Sequence, residues 1–189
     1  HTHGYKSDIL GFCAVRSGKT KWVATNHVWH PMNGKLRLYE GIDAFVLRFA
    51  ERVVAVSDEI REDLIWANVP PPNIRVIYNG IDIARFNQSD SAEALKATLG
   101  VREDFVVTMV GRLSPEKGHR RFLEAASRIT SDKESIKFLI VGDGPMEDEL
   151  RREASRLNLD GQVIFTGFRT DIPAIYALSD LVVNMSSIE

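Results

Sequence analysis

Short apolar runs of strand length alternate with helical patterns along almost the whole chain, and this alternation limits the fold more than any other feature. The runs that predict strands lie at 22–26, 52–56, 74–78, 105–110, 137–141, 162–166 and 181–185. The segments with apolar residues at helical spacing lie at 6–16, 35–50, 58–68, 92–99, 119–130, 146–158 and 171–178. Strands and helices that alternate in this way form parallel sheets with helices on their faces. The sequence therefore predicts an α/β protein with doubly wound parallel sheets.

A polar stretch around residues 87–91 interrupts this alternation and indicates a linker between two α/β units. We place the first unit at residues 1–86, a linker with a first helix at 87–104, and the second unit at 105–189. The chain opens at His1 without an initiator methionine and stops at Glu189 directly after a predicted strand. We therefore expect an internal segment of a longer protein, in which both units are incomplete.

Charge and composition exclude several classes of function. Lys and Arg number 24 against 26 Asp and Glu, a net charge of −2, so we expect no nucleic-acid partner. No apolar run approaches the roughly 18 residues of a membrane span, and no secretory signal is visible. Cys13 is the only cysteine, which excludes an intrachain disulfide and a cysteine-based zinc site. We expect a cytoplasmic protein.

The turn after the strand at 105–110 carries the residues with the clearest chemistry. It holds Arg112 and Lys117 between the carboxyl end of a strand and the amino end of a helix. Open α/β sheets bind ligands at that edge, and helix amino termini favour anions. An Arg fork with a Lys point charge suits a diphosphate. If the second unit winds in the usual strand order 3-2-1-4, the loop that ends at Glu189 flanks the same crevice.

Short motifs along the chain resemble those of one enzyme family. They are Asn-Gly-Ile-Asp at 79–82, Gly-Arg-Leu at 111–113, Glu-Lys-Gly at 116–118, Gly-Asp-Gly-Pro at 142–145, Thr-Gly-Phe at 166–168 and Ser-Ser-Ile-Glu at 186–189. His-Thr-His-Gly at 1–4, the strand that ends at His27 and Val-Ala-Val-Ser at 54–57 agree with them. In this order the motifs resemble the retaining glycosyltransferases of GT-B architecture (glycosyltransferase family 4, glycosyl transferases group 1). The resemblance implies two Rossmann-like units, the first for the acceptor and the second for a nucleotide-sugar donor.

The resemblance implies a role for several residues of the second unit. Arg112 and Lys117 match the residues that bind the donor diphosphate, and Gly111 lies beside them. Gly142 belongs to a tight turn that lets the backbone approach the ligand. Phe168 lies in the region that contacts the nucleotide base through backbone groups, although it fits a core position equally well.

Two further residues match family positions near the donor sugar. Glu189 matches the first of two glutamates and would accept hydrogen bonds from hydroxyls of that sugar. His27 matches a histidine near the transferred sugar and the acceptor hydroxyl. A metal site at His1, His3, His27 and His30 is not expected, because no acidic partner completes it.

The implied reaction is the transfer of a hexose from a nucleoside diphosphate to a hydroxyl, with retention of the anomeric configuration. We expect a metal-independent enzyme without a cofactor, since the UDP- or GDP-linked sugar is a co-substrate and Asp-x-Asp is absent. The acceptor would be a glycan, a lipid-linked sugar or a small molecule in cell envelope polysaccharide or glycolipid biosynthesis, with peripheral contact at the inner face of the membrane. Two alternatives stay open: a nucleotide-sugar epimerase, or a truncated, non-catalytic nucleotide-sugar-binding segment. The 189-residue chain alone is expected to be inactive.

Overall fold

The computed structural model describes residues 1–15, 18, 20–27, 34–87, 90–102, 104–129 and 135–186. The chain divides into two compact units, His1–Ile81 and Asp82–Glu189. Each unit contains a four-stranded sheet, and all recorded strand pairs are parallel. The α/β class and the two parallel-sheet units predicted from the alternating pattern are therefore confirmed.

The sheet of the first unit has the strand order β1-β2-β3-β4. Its elements are β1 (Thr2–His3), α1 (Tyr5–Val15), β2 (Val23–Asn26), α2 (Gly34–Leu47), β3 (Arg52–Ala55), α3 (Asp58–Trp66) and β4 (Ile74–Val76). Ser57 begins α3, because its hydroxyl accepts a hydrogen bond from the Ile60 backbone nitrogen at 3.2 Å. The register pairs His3 with Thr25, which places the ends of β1 and β2 side by side.

The sheet of the second unit has the order β7-β6-β5-β8, with its first strand between its second and its fourth. Its elements are α4 (Asp90–Leu99), β5 (Phe105–Val110), α5 (His119–Ile129), β6 (Ile136–Val141), α6 (Glu147–Arg156), β7 (Val163–Gly167), α7 (Ile172–Leu178) and β8 (Leu181–Val182). This is the predicted 3-2-1-4 order, and it places the loop after β5 at the point where the chain changes winding direction.

The central strand β6 is buried on both faces, as a strand of a doubly wound sheet must be. Phe138 and Ile140 belong to the core cluster that includes residues of α5 and α6. Leu139 and Val141 belong to the cluster that includes residues of α4 and α7. Alternate side chains of one strand thus anchor the helix layers on opposite faces of the sheet.

Two strands differ most from the sequence prediction. β1 was not predicted, because a strand of two residues shows no periodicity, and its pairing with β2 alone defines it. β8 was predicted over 181–185 but covers only Leu181–Val182, which are 49% and 46% exposed at the edge of the described sheet. Among the described residues, no helix combines the length and the apolar character needed to cross a membrane.

The close approach of Gly118 to the segment after β8 yields a stability prediction. Gly118 has φ +80°, and a Cβ there would lie 2.3 Å from the Met185 carbonyl oxygen. Gly100 has a similar φ of +70°, but a Cβ there would meet nothing within 4 Å. Gly100→Ala should therefore cost only the left-handed backbone strain, about 1 kcal/mol. Gly118→Ala should cost about 2 kcal/mol more, because the backbone at Met185 must move.

Urea unfolding of both variants measures this difference in the free energy of unfolding. Equal losses in Gly118→Ala and Gly100→Ala would show that Met185 does not pack against the turn before α5.

Candidate functional site

The loops that follow β5 and β6 pack backbone against backbone. The Leu113 nitrogen donates a hydrogen bond to the Asp143 carbonyl at 2.8 Å. A Cβ on Gly142 would lie 2.1 Å from the Gly111 carbonyl oxygen, and one on Gly144 would lie 2.5 Å from the Leu113 carbonyl oxygen. Only glycine fits such an approach, so this sequence brings the two loops into direct contact at the carboxyl edge of the sheet.

A cavity of about 490 Å³ opens at this edge. Gly111, Arg112, Gly142 and Phe168 all line it, so the structure brings these four predicted residues to one place. Phe168 is 71% exposed, and the alternative interpretation as a core residue is therefore wrong. The cavity combines glycine backbone, a guanidinium group and an exposed aromatic ring.

Lys117 lies beside this cavity. It ends the 3-10 turn Pro115–Lys117, and its Cδ lies 3.9 Å from the position that a Cβ on Gly111 would take. Arg112 is exposed, whereas Lys117 is half-buried. The structure thus places both predicted diphosphate ligands on the turn between β5 and α5.

Glu116 supplies a negative charge on the same turn. The Ser114 hydroxyl donates a hydrogen bond to its Oε1 at 2.5 Å. This bond, a backbone hydrogen bond and the charges of Lys117 and Arg112 lower the pKa of Glu116. The turn therefore carries two cations and one ionised carboxylate, and it keeps an excess of positive charge.

Arg169, which was not predicted from the sequence, also lines the cavity. Its guanidinium donates to both carboxylate oxygens of Asp171, at 2.8 and 2.5 Å. This fork-to-fork hydrogen bond lowers the pKa of Asp171 and raises that of Arg169. In the sequence, the only sign that Arg169 belongs to the site was the position of this charged pair directly after the Thr-Gly-Phe motif. Because Asp171 balances its charge, Arg169 adds less net charge to the cavity than Arg112 does.

The burial of His119, the first residue of α5, was not predicted from the sequence either. His119 is 1% exposed, and neither ring nitrogen has a hydrogen-bond partner among the described residues. Burial lowers the pKa of His119, and the nearby charge of Lys117 lowers it further. The ring therefore stays neutral at pH 7 and leaves the positive charge of this turn to the lysine and arginine.

His27 lies in the first unit, directly after β2, and is exposed. Its Nε2 lies 3.2 Å from Nδ1 of His3, at the end of the neighbouring strand β1. His1 contributes a contact between its Nε2 and Thr25 Oγ1 at 2.8 Å. Within the described part of the chain, no group of three His, Cys, Asp or Glu side chains is arranged to hold a metal ion.

Two residues named in the sequence analysis lie outside the described residues. They are Glu189, predicted to bind the donor sugar, and His30 of the rejected metal site. The other predicted donor residues of the second unit lie within the described part of the chain.

Comparison with known proteins assigns each half of the chain to a family model. Residues 91–189 match the model of the glycosyl transferases group 1, and residues 1–85 match that of glycosyltransferase family 4. A UDP-Gal:alpha-D-GlcNAc-diphosphoundecaprenol alpha-1,3-galactosyltransferase of Escherichia coli is 35% identical over 97% of this chain and 50% of its own. An alpha-D-kanosaminyltransferase of Streptomyces kanamyceticus is 30% identical over 80% of this chain and 43% of its own. The chain spans about half the length of the curated relatives it matches.

A solved structure has the same fold. Anabaena HepE in complex with UDP-glucose superposes with a TM-score of 0.81 at 29% identity, over 98% of this chain and 52% of that one. The structural neighbours of the two parallel-sheet units are thus GT-B glycosyltransferases.

The neutral, buried His119 ring yields a pH prediction. Its pKa in the folded protein lies below the ordinary value of 6.5, so the unfolded chain takes up the proton first as the pH falls. The free energy of unfolding should therefore decrease below pH 6.5, with a slope of up to about 1.4 kcal/mol per pH unit from this residue. His119→Phe keeps a buried ring without a titrating group and should remove this part of the slope.

Urea unfolding of wild type and His119→Phe between pH 5 and pH 8 measures the effect. The pH 8 values are the reference, because neither the folded nor the unfolded state protonates His119 there. Parallel pH profiles for the two proteins would contradict the assignment of a neutral, desolvated histidine.

Proposed function

This chain belongs to the glycosyl transferases group 1, and we propose that the protein transfers a sugar from a nucleoside diphosphate to an acceptor hydroxyl. The observation that carries the proposal is the cavity at the carboxyl edge of the second unit. The Arg112 guanidinium and the backbone of Gly111 and Gly142 line this cavity, and Lys117 lies beside it. This chemistry suits a diphosphate attached to a planar base and a sugar.

The donor in this proposal is a nucleotide sugar whose diphosphate lies against Arg112 and Lys117. Two cations on one turn neutralise the diphosphate, and the glycine backbone lets it approach closely. The exposed ring of Phe168 and the carboxylate of Asp143 line the same cavity, where they suit a base and hydroxyl groups. Of the UDP- and GDP-linked donors, UDP is favoured, because the E. coli relative is named for UDP-Gal and HepE holds UDP-glucose.

The proposed mechanism uses fixed cations rather than a metal ion or a titrating base. As the bond between the sugar and the diphosphate breaks, negative charge grows on the departing diphosphate, which Arg112 and Lys117 stabilise. The diphosphate leaves from the face at which the acceptor arrives, and one of its oxygens takes the proton of the acceptor hydroxyl. Attack on that same face retains the anomeric configuration. His27 has the role near the transferred sugar that the family resemblance implies.

The names of relatives favour a lipid-linked acceptor. The E. coli relative acts on a sugar diphosphoundecaprenol, and a Streptococcus pneumoniae relative, 27% identical, is named alpha-monoglucosyldiacylglycerol synthase. We propose the same acceptor class for the present protein. We also propose that it acts in cell envelope polysaccharide or glycolipid biosynthesis and makes peripheral contact with the membrane.

Product analysis with a radiolabelled donor tests the reaction type. An epimerase would return the label in a free nucleotide sugar, whereas a transferase would return it in an enlarged acceptor.

Substitution of the two cations tests the donor site. In the full-length protein, Arg112→Ala and Lys117→Ala should each lower turnover roughly 10²- to 10³-fold, because each removes a preorganised positive group from the leaving diphosphate. The free energy of unfolding should change little, since neither side chain belongs to the core. Arg152→Ala, which removes an exposed arginine from α6, is the matched control and should leave turnover unchanged. Wild-type turnover in Arg112→Ala and Lys117→Ala would refute the assignment.

Substitution of His27 tests the separation of donor binding from transfer. His27 lies in the first unit, whereas the donor cavity is formed by the second. His27→Ala should therefore lower the transfer rate and leave the Kd of the nucleotide diphosphate nearly unchanged. Calorimetric binding of UDP and initial rates on the same preparation measure the two quantities. A variant that transfers sugar at the wild-type rate would remove His27 from the reaction.

A further inference from the structure

His3 and His27 form a hydrogen-bonded pair at the carboxyl edge of the first sheet. His3 Nδ1 lies 3.2 Å from His27 Nε2, and the rings stack with centroids 5.5 Å apart. Both residues are exposed, so a ligand has access to the pair. The backbone of His3 is held by Ser7, whose hydroxyl donates to the His3 carbonyl at 2.7 Å and accepts from its nitrogen at 3.1 Å. The pair therefore rests on a hydrogen-bonded turn between β1 and α1.

The position of one proton in this pair decides what His27 offers to a ligand. If His3 Nδ1 carries the proton, it donates a hydrogen bond to His27 Nε2. The hydrogen of the neutral His27 ring is then on Nδ1. If His27 Nε2 carries the proton instead, His27 Nδ1 is a bare acceptor. The first arrangement makes His27 a hydrogen-bond donor toward its ligand, and the second makes it a base.

A buried carboxyl pair favours the first arrangement. Asp8 on α1 and Asp43 on α2 are each 1% exposed and hydrogen-bonded to each other. Burial raises the pKa of Asp8, and hydrogen bonds with Thr2 and Asp43 and the charge of His3 oppose this rise. Two buried carboxyl groups in contact repel each other when both are ionised, so a shared proton is favoured. The interaction of the Asp8 carboxyl with the charge of His3 favours the arrangement in which His3 is the hydrogen-bond donor to His27.

We propose that His3 is a positioning residue for sugar transfer, because its Nδ1 donates to His27 Nε2 and thereby fixes the hydrogen of His27 on Nδ1. This inference rests on the proposed function, in which the leaving diphosphate takes the acceptor proton. A His27 ring that only donates binds a hydroxyl oxygen of the sugar or the acceptor without competing for that proton. The buried Asp8–Asp43 pair, whose Asp8 carboxyl interacts with the charge of His3, favours this arrangement.

The tautomer of His27 is measured directly by long-range ¹H–¹⁵N correlation spectra of the ¹⁵N-histidine-labelled protein, without any need for activity. We expect a protonated Nδ1 and a bare Nε2 in His27 of the wild type. In His3→Phe the hydrogen of His27 should move largely to Nε2, the tautomer that a free imidazole prefers. His3→Asn, whose amide nitrogen takes the place of Nδ1, should restore the wild-type pattern. In Asp8→Asn, where one carboxyl group of the buried pair is lost, His27 should show both tautomers.

His1→Phe is the matched control for this experiment. The His1 ring centroid lies 4.4 Å from that of His3, but its nitrogen contacts Thr25 and not His27. The substitution should leave the His27 tautomer unchanged. A wild-type spectrum with the proton on His27 Nε2, or a His3→Phe spectrum like that of the wild type, overturns the proposal even if the enzyme transfers sugar.

Kinetics of the full-length protein then separate positioning from binding. His3→Phe should lower kcat roughly 10- to 100-fold with little change in the KM of the donor, as expected when a group that orients a reacting side chain is lost. His3→Asn should recover most of that loss, and His1→Phe should match the wild type. A changed tautomer with an unchanged kcat overturns the positioning role and leaves the proposed function intact. A wild-type protein without transferase activity contradicts the proposed function, while the spectra still decide whether His3 sets the tautomer.

Discussion

The contact between the loops after β5 and β6 determines the shape of the candidate donor site. Gly142 lies so close to the Gly111 carbonyl that a single methyl group would overlap it, and a methyl group on Gly144 would overlap the backbone of Leu113. Hydrogen bonds between the two loops hold this approach. Because the loops touch without side chains between them, backbone groups and the Arg112 guanidinium share one small cavity.

The net charge of the site depends on the ion pairs, hydrogen bonds and burial of its ionisable groups. Asp171 neutralises Arg169, and burial keeps His119 neutral. Glu116 stays ionised against Ser114 and offsets one of the two cations on the turn. The remaining positive charge belongs to Arg112 and Lys117, the two cations of the proposed diphosphate site.

Local sequence pattern is enough to predict the bounds of elements whose apolar residues follow a clear period. The strand at 105–110 was predicted with its observed bounds, because a run of apolar residues buried on both faces has clear ends. The helix predicted at 119–130 is His119–Ile129, since its apolar residues recur on one face. β1 was missed and β8 was overextended, because edge strands this short are defined by their hydrogen-bonded neighbour and not by their own residues.

Apart from β1, the sequence alone determined the order of the elements, the parallel sheets and the turn that carries Arg112 and Lys117. These features follow from the periodicity of apolar residues and from the fact that parallel strands end at one edge of a sheet. Only the tertiary structure decided that His3 meets His27 and that Asp8 meets Asp43 in a buried site. Such pairs join residues distant in the sequence, and their distances depend on strand register and helix packing. Local sequence patterns record which side of an element is buried, but they do not record which side chain lies opposite.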